Sequence, residues 1–233
     1  MAKKQLTKEQ KRYETDLWII IITIAAVFLG YTFFEDSLMQ FVKNDDNLII
    51  LRLLLSAALQ FGMAGLGITI VCILRKEKFS QFGLVKKNTL KAIVGTVLCF
   101  TPDIICVFLS GQFEGYCPFS VMLFDDVLAA GFPINVLGIA VIAIAWGFFE
   151  GFNYAVIADK INLANPPKNM WLDMGAITCA VICILVHPMS TSFWGIVDII
   201  TTFISIYGML IIKRKTNNAW GCVFAFCFIW NAL

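Results

Sequence analysis

The stretch AWGFFEGFNYAVIADK, residues 145 to 160, sets one carboxylate, Glu150, in a run that otherwise reads as membrane. An ionised side chain in hydrocarbon costs on the order of 3 kcal/mol or more, so it needs a partner or a task. Asn153 and Tyr154 lie three and four residues on, share its helical face, and are placed to hydrogen-bond it. Buried carboxyls serve as general bases near neutrality. Gly147 and Gly151, one step round the helix, form a pair of small residues suited to close helix packing. His187, the single histidine, ends an apolar run in CILVHP, and Pro188 marks the stop. Asp198 follows across a short connection, within reach of a His–Asp clasp that would orient the imidazole. Asp103 follows Pro102 in CFTPDIIC, where the proline removes a backbone donor and favours a kink. A broken helix with a carboxylate lines a cavity or contacts a neighbouring helix.

The elements that must position these groups are transmembrane helices. The 233 residues are 59% hydrophobic and only 15% charged, against roughly 25% charged in a soluble domain. Apolar runs of about 20 residues occur at 17–34, 48–74, 92–110, 134–157, 171–187, 193–212 and 219–233. The expected fold is all-α, a polytopic membrane bundle of about seven transmembrane helices. Residues 1–16 form an N-terminal tail and 17–233 a single domain, with the first span a retained anchor. The N-terminus is expected in the cytoplasm, because alternating spans then place 16 of the 18 basic residues on one side. Arg52 is expected to snorkel to the outer surface, Asp173 to be solvated at a helix start, and Lys160 to lie in a cytoplasmic loop. Eight cysteines without a CxxC pair give no metal or disulfide expectation, and no cofactor is expected. A net charge of +2 reflects membrane orientation rather than nucleic-acid binding. The partners are the bilayer and a peptide or membrane-protein substrate, and the expected location is the cell membrane, crossed several times.

Three segments carry a resemblance. EGFNYAV resembles the EExxxR motif of the CAAX protease and bacteriocin-processing family (CPBP, or Abi), CILVH its FxxxH motif, and TNNAWGCVFAFCFIWNA its last motif, WPxIxxHxxxN. These intramembrane glutamic proteases are similar over residues 134–233. The resemblance implies that Glu150 activates water, that His187 binds the oxyanion and that Asn231 assists. Gly151, Ala155 and Cys183 stand where the family has glutamate, arginine and phenylalanine, and its second histidine falls on Phe226 counted from Trp220 or on Cys227 counted back from Asn231. Loss of one oxyanion donor costs about 10²–10³ in rate.

Three functions follow as expectations. One is a divergent CPBP-like protease hydrolysing a peptide bond with glutamate-activated water. The second is a catalytically inactive scaffold or bacteriocin self-immunity protein of the same type. The third is a small transporter relaying protons or cations through Asp103 and Glu150. One tension is internal to the site. The span boundaries put His187 near the outer face, while Glu150 lies roughly 24 Å below the outer start of its span at 1.5 Å per residue.

Overall fold

The computed structural model describes residues 6–187 and 190–233. Among them are eight helices and no strand. α1 is Lys8–Lys43, begun by a capping box in which Thr7 and Gln10 exchange side-chain to backbone bonds. α2 runs Ile49–Arg75 and α3 Thr89–Ser110. α4 is the short Phe124–Ala129, and α5 runs Ile134–Ala164. α6 is Met174–Val186, α7 Phe193–Thr216 and α8 Trp220–Trp230. Helices α1, α2, α3, α5 and α7 are long and apolar enough to cross a membrane. The chain is a membrane protein. The apolar runs expected at 171–187 and 219–233 form the shorter helices α6 and α8. The tail read at 1–16 is helical from Lys8.

α5 occupies the middle of the bundle, against α1, α2, α6 and α8, while α3 pairs with α7. Its central face is a run of small residues and one large anchor, Phe152, Ala155, Val156 and Ala158, all buried. Close approach is set by glycine: a Cβ on Gly175 would run into the carbonyl of Ala158, so α6 lies backbone to backbone on α5. Lipid cannot satisfy a stray backbone group, so departures from α geometry need local partners. Three wide π turns occur among the described residues, at Gly62–Leu66 in α2, Ala143–Phe149 in α5 and Phe226–Trp230 in α8. In the first, the Thr69 hydroxyl donates to the Gly65 carbonyl at 2.8 Å. Pro102 lies inside α3, which continues on both sides of it.

Three charged residues sit where hydropathy did not put them. Lys160 is in the last turns of α5 rather than in a loop, and it has no exposure at all. Its ammonium donates to Asp16 of α1 at 2.9 Å and to Glu77 after α2, while Arg75 donates to Asp16 at 2.7 Å. Arg52 does not snorkel: it is 5% exposed and clamps the ends of three elements. It donates to the Val42 carbonyl at 2.6 Å and pairs with Asp45 at 3.0 Å and Asp126 at 2.9 Å. Asp173 is buried rather than solvated, capping α6 by accepting from the Ala176 amide and pairing with Arg214 at 3.0 Å. In each case a charge adjacent to hydrocarbon is kept because an opposite charge from a distant segment meets it.

Breaking a buried pair by removing one partner typically costs 3–5 kcal/mol, because the other charge is stranded. Lys160→Met is therefore expected to destabilise the fold by about 3 kcal/mol, with Arg75 retaining part of the hold on Asp16. The double variant Lys160→Met with Asp16→Asn should be closer to wild type. Thermal unfolding in detergent decides it, and equal stability of Lys160→Met and wild type would show that the pair holds nothing.

Candidate functional site

Glu150 begins the second α-helical part of α5, directly after the π turn Ala143–Phe149. Its carboxylate accepts a hydrogen bond at 2.8 Å from the side-chain amide of Gln60, which lies just before the π turn of α2. The next residues on each helix, Phe61 and Phe149, meet edge to face at 4.7 Å between ring centroids. The apolar contact fixes the helix faces, and the amide fills the carboxylate's need for a donor.

His187 lies about one turn further out than this pair. The Cys179 thiol of α6 donates to the Tyr154 carbonyl of α5 at 3.6 Å, which sets the register of the two helices. From there Glu150 is four residues along α5, about 6 Å, and His187 eight along α6, about 12 Å. On the register set by Cys179 and Tyr154 the depth mismatch read from hydropathy shrinks to about 6 Å, while the outer end of α6, Val186, stays within a residue of where hydropathy put it. Pro188, the expected stop, lies outside the described residues.

Both side chains line one cavity of about 260 Å³ between α1, α2, α5 and α6. Gln60, Asn153 and Tyr154 line it with them, and Ile24, Met63 and Ile157 supply much of its apolar wall. Nδ1 of His187 is 2.7 Å from the Cys183 carbonyl. A carbonyl only accepts, so Nδ1 carries the proton and Nε2 is left for other partners. The Trp230 indole holds the ring edge to face at 5.1 Å. Asn153, on the cavity wall, makes no side-chain hydrogen bond among the described residues. The arrangement offers a carboxylate held at one oxygen, an imidazole and a free amide around a space large enough for water and a small polar group.

The other expected residues lie elsewhere. Asn231 follows the π turn that ends α8 and does not line the cavity, and its carbonyl accepts from the Ser120 amide at 2.8 Å. Asp103 accepts from the Thr201 hydroxyl at 3.2 Å in the α3–α7 contact, and that hydroxyl also donates to the Asp198 carbonyl at 3.1 Å. Asp198 makes no hydrogen bond or ion pair with His187 among the described residues, so the His–Asp clasp is not formed. Gln60 was missed by sequence reasoning. A signal for it existed: Arg52, Ser56 and Gln60 recur every four residues in an otherwise apolar run, a polar stripe along one face of α2.

The positions at which the motif resemblance fails are filled and packed. A Cβ on Gly151 would meet the Cys222 carbonyl of α8, and one on Gly147 would meet Cys227. Ala155 and Cys183 are fully buried, and Phe226, also buried, stacks on Tyr154 at 5.4 Å. Comparison of the chain with protein-family models, with curated proteins and with solved structures gives no match.

The contact of α5 with α8 therefore has no room for the glutamate of the family motif. Overpacking a fitted core costs about 1–3 kcal/mol even for added methylenes. Gly151→Ala should lower stability by that amount, about 1–3 kcal/mol, and Gly151→Glu should prevent folding. Thermal unfolding and size-exclusion profiles in detergent test both, and a well-folded Gly151→Glu protein would contradict the packing described.

Proposed function

We propose that the chain is a divergent intramembrane hydrolase of CPBP type, cutting a peptide bond of a membrane-embedded substrate with water activated by Glu150. The observation that carries this reading is that Glu150 and His187, 37 residues apart in sequence, line one cavity. Glu150 takes a proton from water, and the resulting hydroxide attacks the peptide carbonyl carbon. The negative charge that develops on the carbonyl oxygen is met by the Asn153 amide and by the His187 ring. As the C–N bond breaks, the Glu150 carboxyl returns its proton to the departing amine. Gln60 acts on Glu150, holding one oxygen so that the other faces the cavity; it is a positioning residue. Asn231 has no part in this mechanism. The protein is read as a multi-pass component of the cell membrane with its N-terminus in the cytoplasm.

A second reading, a non-catalytic scaffold or self-immunity protein of the same type, has its own support. Gly151, Ala155 and Phe226 replace three polar motif residues with packed apolar contacts. The transporter reading is weaker, since Asp103 is held by Thr201 between α3 and α7 and does not reach the Glu150 cavity.

General-base catalysis contributes typically 10²–10⁴-fold. Glu150→Gln keeps the shape and can still bond Gln60, so it should lower cleavage by about that factor, 10²–10⁴, at unchanged melting temperature. The assay is the appearance of new N-termini in membrane proteins of cells expressing each form, with quenched apolar peptides in proteoliposomes as a second readout. Identical cleavage patterns in the wild type and Glu150→Gln would rule out the hydrolase and leave the scaffold.

A further inference from the structure

The Glu150 cavity is the first of three that adjoin in series through shared wall residues. A second cavity, about 350 Å³ and almost wholly apolar, lies between α1 and α2 and shares Gln60 and Met63 with the first. Val27, Phe28, Leu38 and Trp146 form much of its wall. From Leu38 to Val27 along α1 the rise is about 16 Å, close to half of the ~30 Å hydrocarbon core and so to the depth of one leaflet. At its other end it shares Met122 with a third cavity of about 380 Å³, which is charged. Lys43, the last residue of α1, and Asp125 and Asp126 of α4 line that mouth with Arg52.

The charges at the mouth are unequally engaged. Arg52 is paired with Asp126 and Asp45. Lys43 and Asp125, both exposed, form no ion pair among the described residues. One unpaired cation and one unpaired anion therefore stand at the entrance of an apolar slot as deep as a leaflet. We propose that a zwitterionic phospholipid binds here, its phosphate on Lys43, its cationic amine on Asp125, and one acyl chain between α1 and α2 ending at Gln60 and Met63. The complement is specific in sign. An anionic head group satisfies Lys43 but leaves Asp125 facing negative charge, whereas a zwitterion satisfies both. The chain end closes the Glu150 cavity on the α1–α2 side, and the site stands whether or not the protein is a hydrolase.

Trp146 in the slot is the reporter. The full-length protein is reconstituted in phosphatidylglycerol vesicles containing rising small fractions of phosphatidylcholine brominated on its acyl chains. The difference between wild type and Trp146→Phe isolates the quenching of that one indole. Quenching is expected to saturate at a low mole fraction. Lys43→Glu and Asp125→Lys, both exposed, should each raise the midpoint about two- to fivefold, the scale of one exposed ion pair. Quenching that only follows the bulk lipid fraction, or a midpoint unmoved by both variants, overturns the site. Saturation at an equal or lower fraction by brominated phosphatidylglycerol in phosphatidylcholine vesicles overturns the zwitterionic assignment.

Discussion

The amide of Gln60 on the carboxylate of Glu150 is the contact around which the rest of the bundle makes sense. A carboxyl group among hydrocarbon side chains requires a donor, and within lipid only another segment of the chain can supply one. That requirement brings α2 against α5 at one register. The Phe61–Phe149 contact beside it gives the same register an apolar reason. Both residues flank π turns, where the helix is wider and the side chains before and after the turn are re-aimed. The cavity, the histidine and the apolar space between α1 and α2 all lie around this pair.

The end of the bundle at which α1 begins obeys the same constraint with full charges. Asp16, Glu77, Lys160 and Arg75 come from α1, α2, α5 and the segment after α2, and their meeting ties these elements together. Asp159 with Lys213 and Asp173 with Arg214 do the same for α5, α6 and α7. At the opposite end Arg52 gathers α1, α2 and α4. The ion pairs thus clamp the two ends, while small residues set the middle. Between them the helices approach closely at Gly147 and Gly151, where any side chain would strike the neighbouring helix. That packing also explains the gaps in the motif resemblance: the α5–α8 contact has been given over to shape.

Much of this was legible in order and composition. A helical membrane bundle follows from apolar length, since only helices satisfy every backbone group within a single segment. Glu150 and His187 stood out because their types are costly or rare in an apolar run. The glycine pair on α5 announced close packing through its spacing alone. Gln60 was less visible because a neutral amide carries no large penalty that would draw attention to it. Asn231 entered through a motif alignment, and it does not line the cavity; its carbonyl is engaged by the Ser120 amide.

What the sequence determined by itself was the class of fold, the apolar segments and the identity of the two side chains with chemistry to offer. Their meeting was decided only in three dimensions. Hydropathy measures how far a segment stays apolar, so it placed the end of α6 at the membrane surface. The Cys179–Tyr154 contact sets that end against α5 so that His187 and Glu150 line one cavity. The same limit applies to charge. A lysine near a helix end reads as a loop residue until Asp16, 144 positions away, arrives to pair with it. Pairing across such separations depends on which helices neighbour one another, and periodicity along one helix carries no record of that.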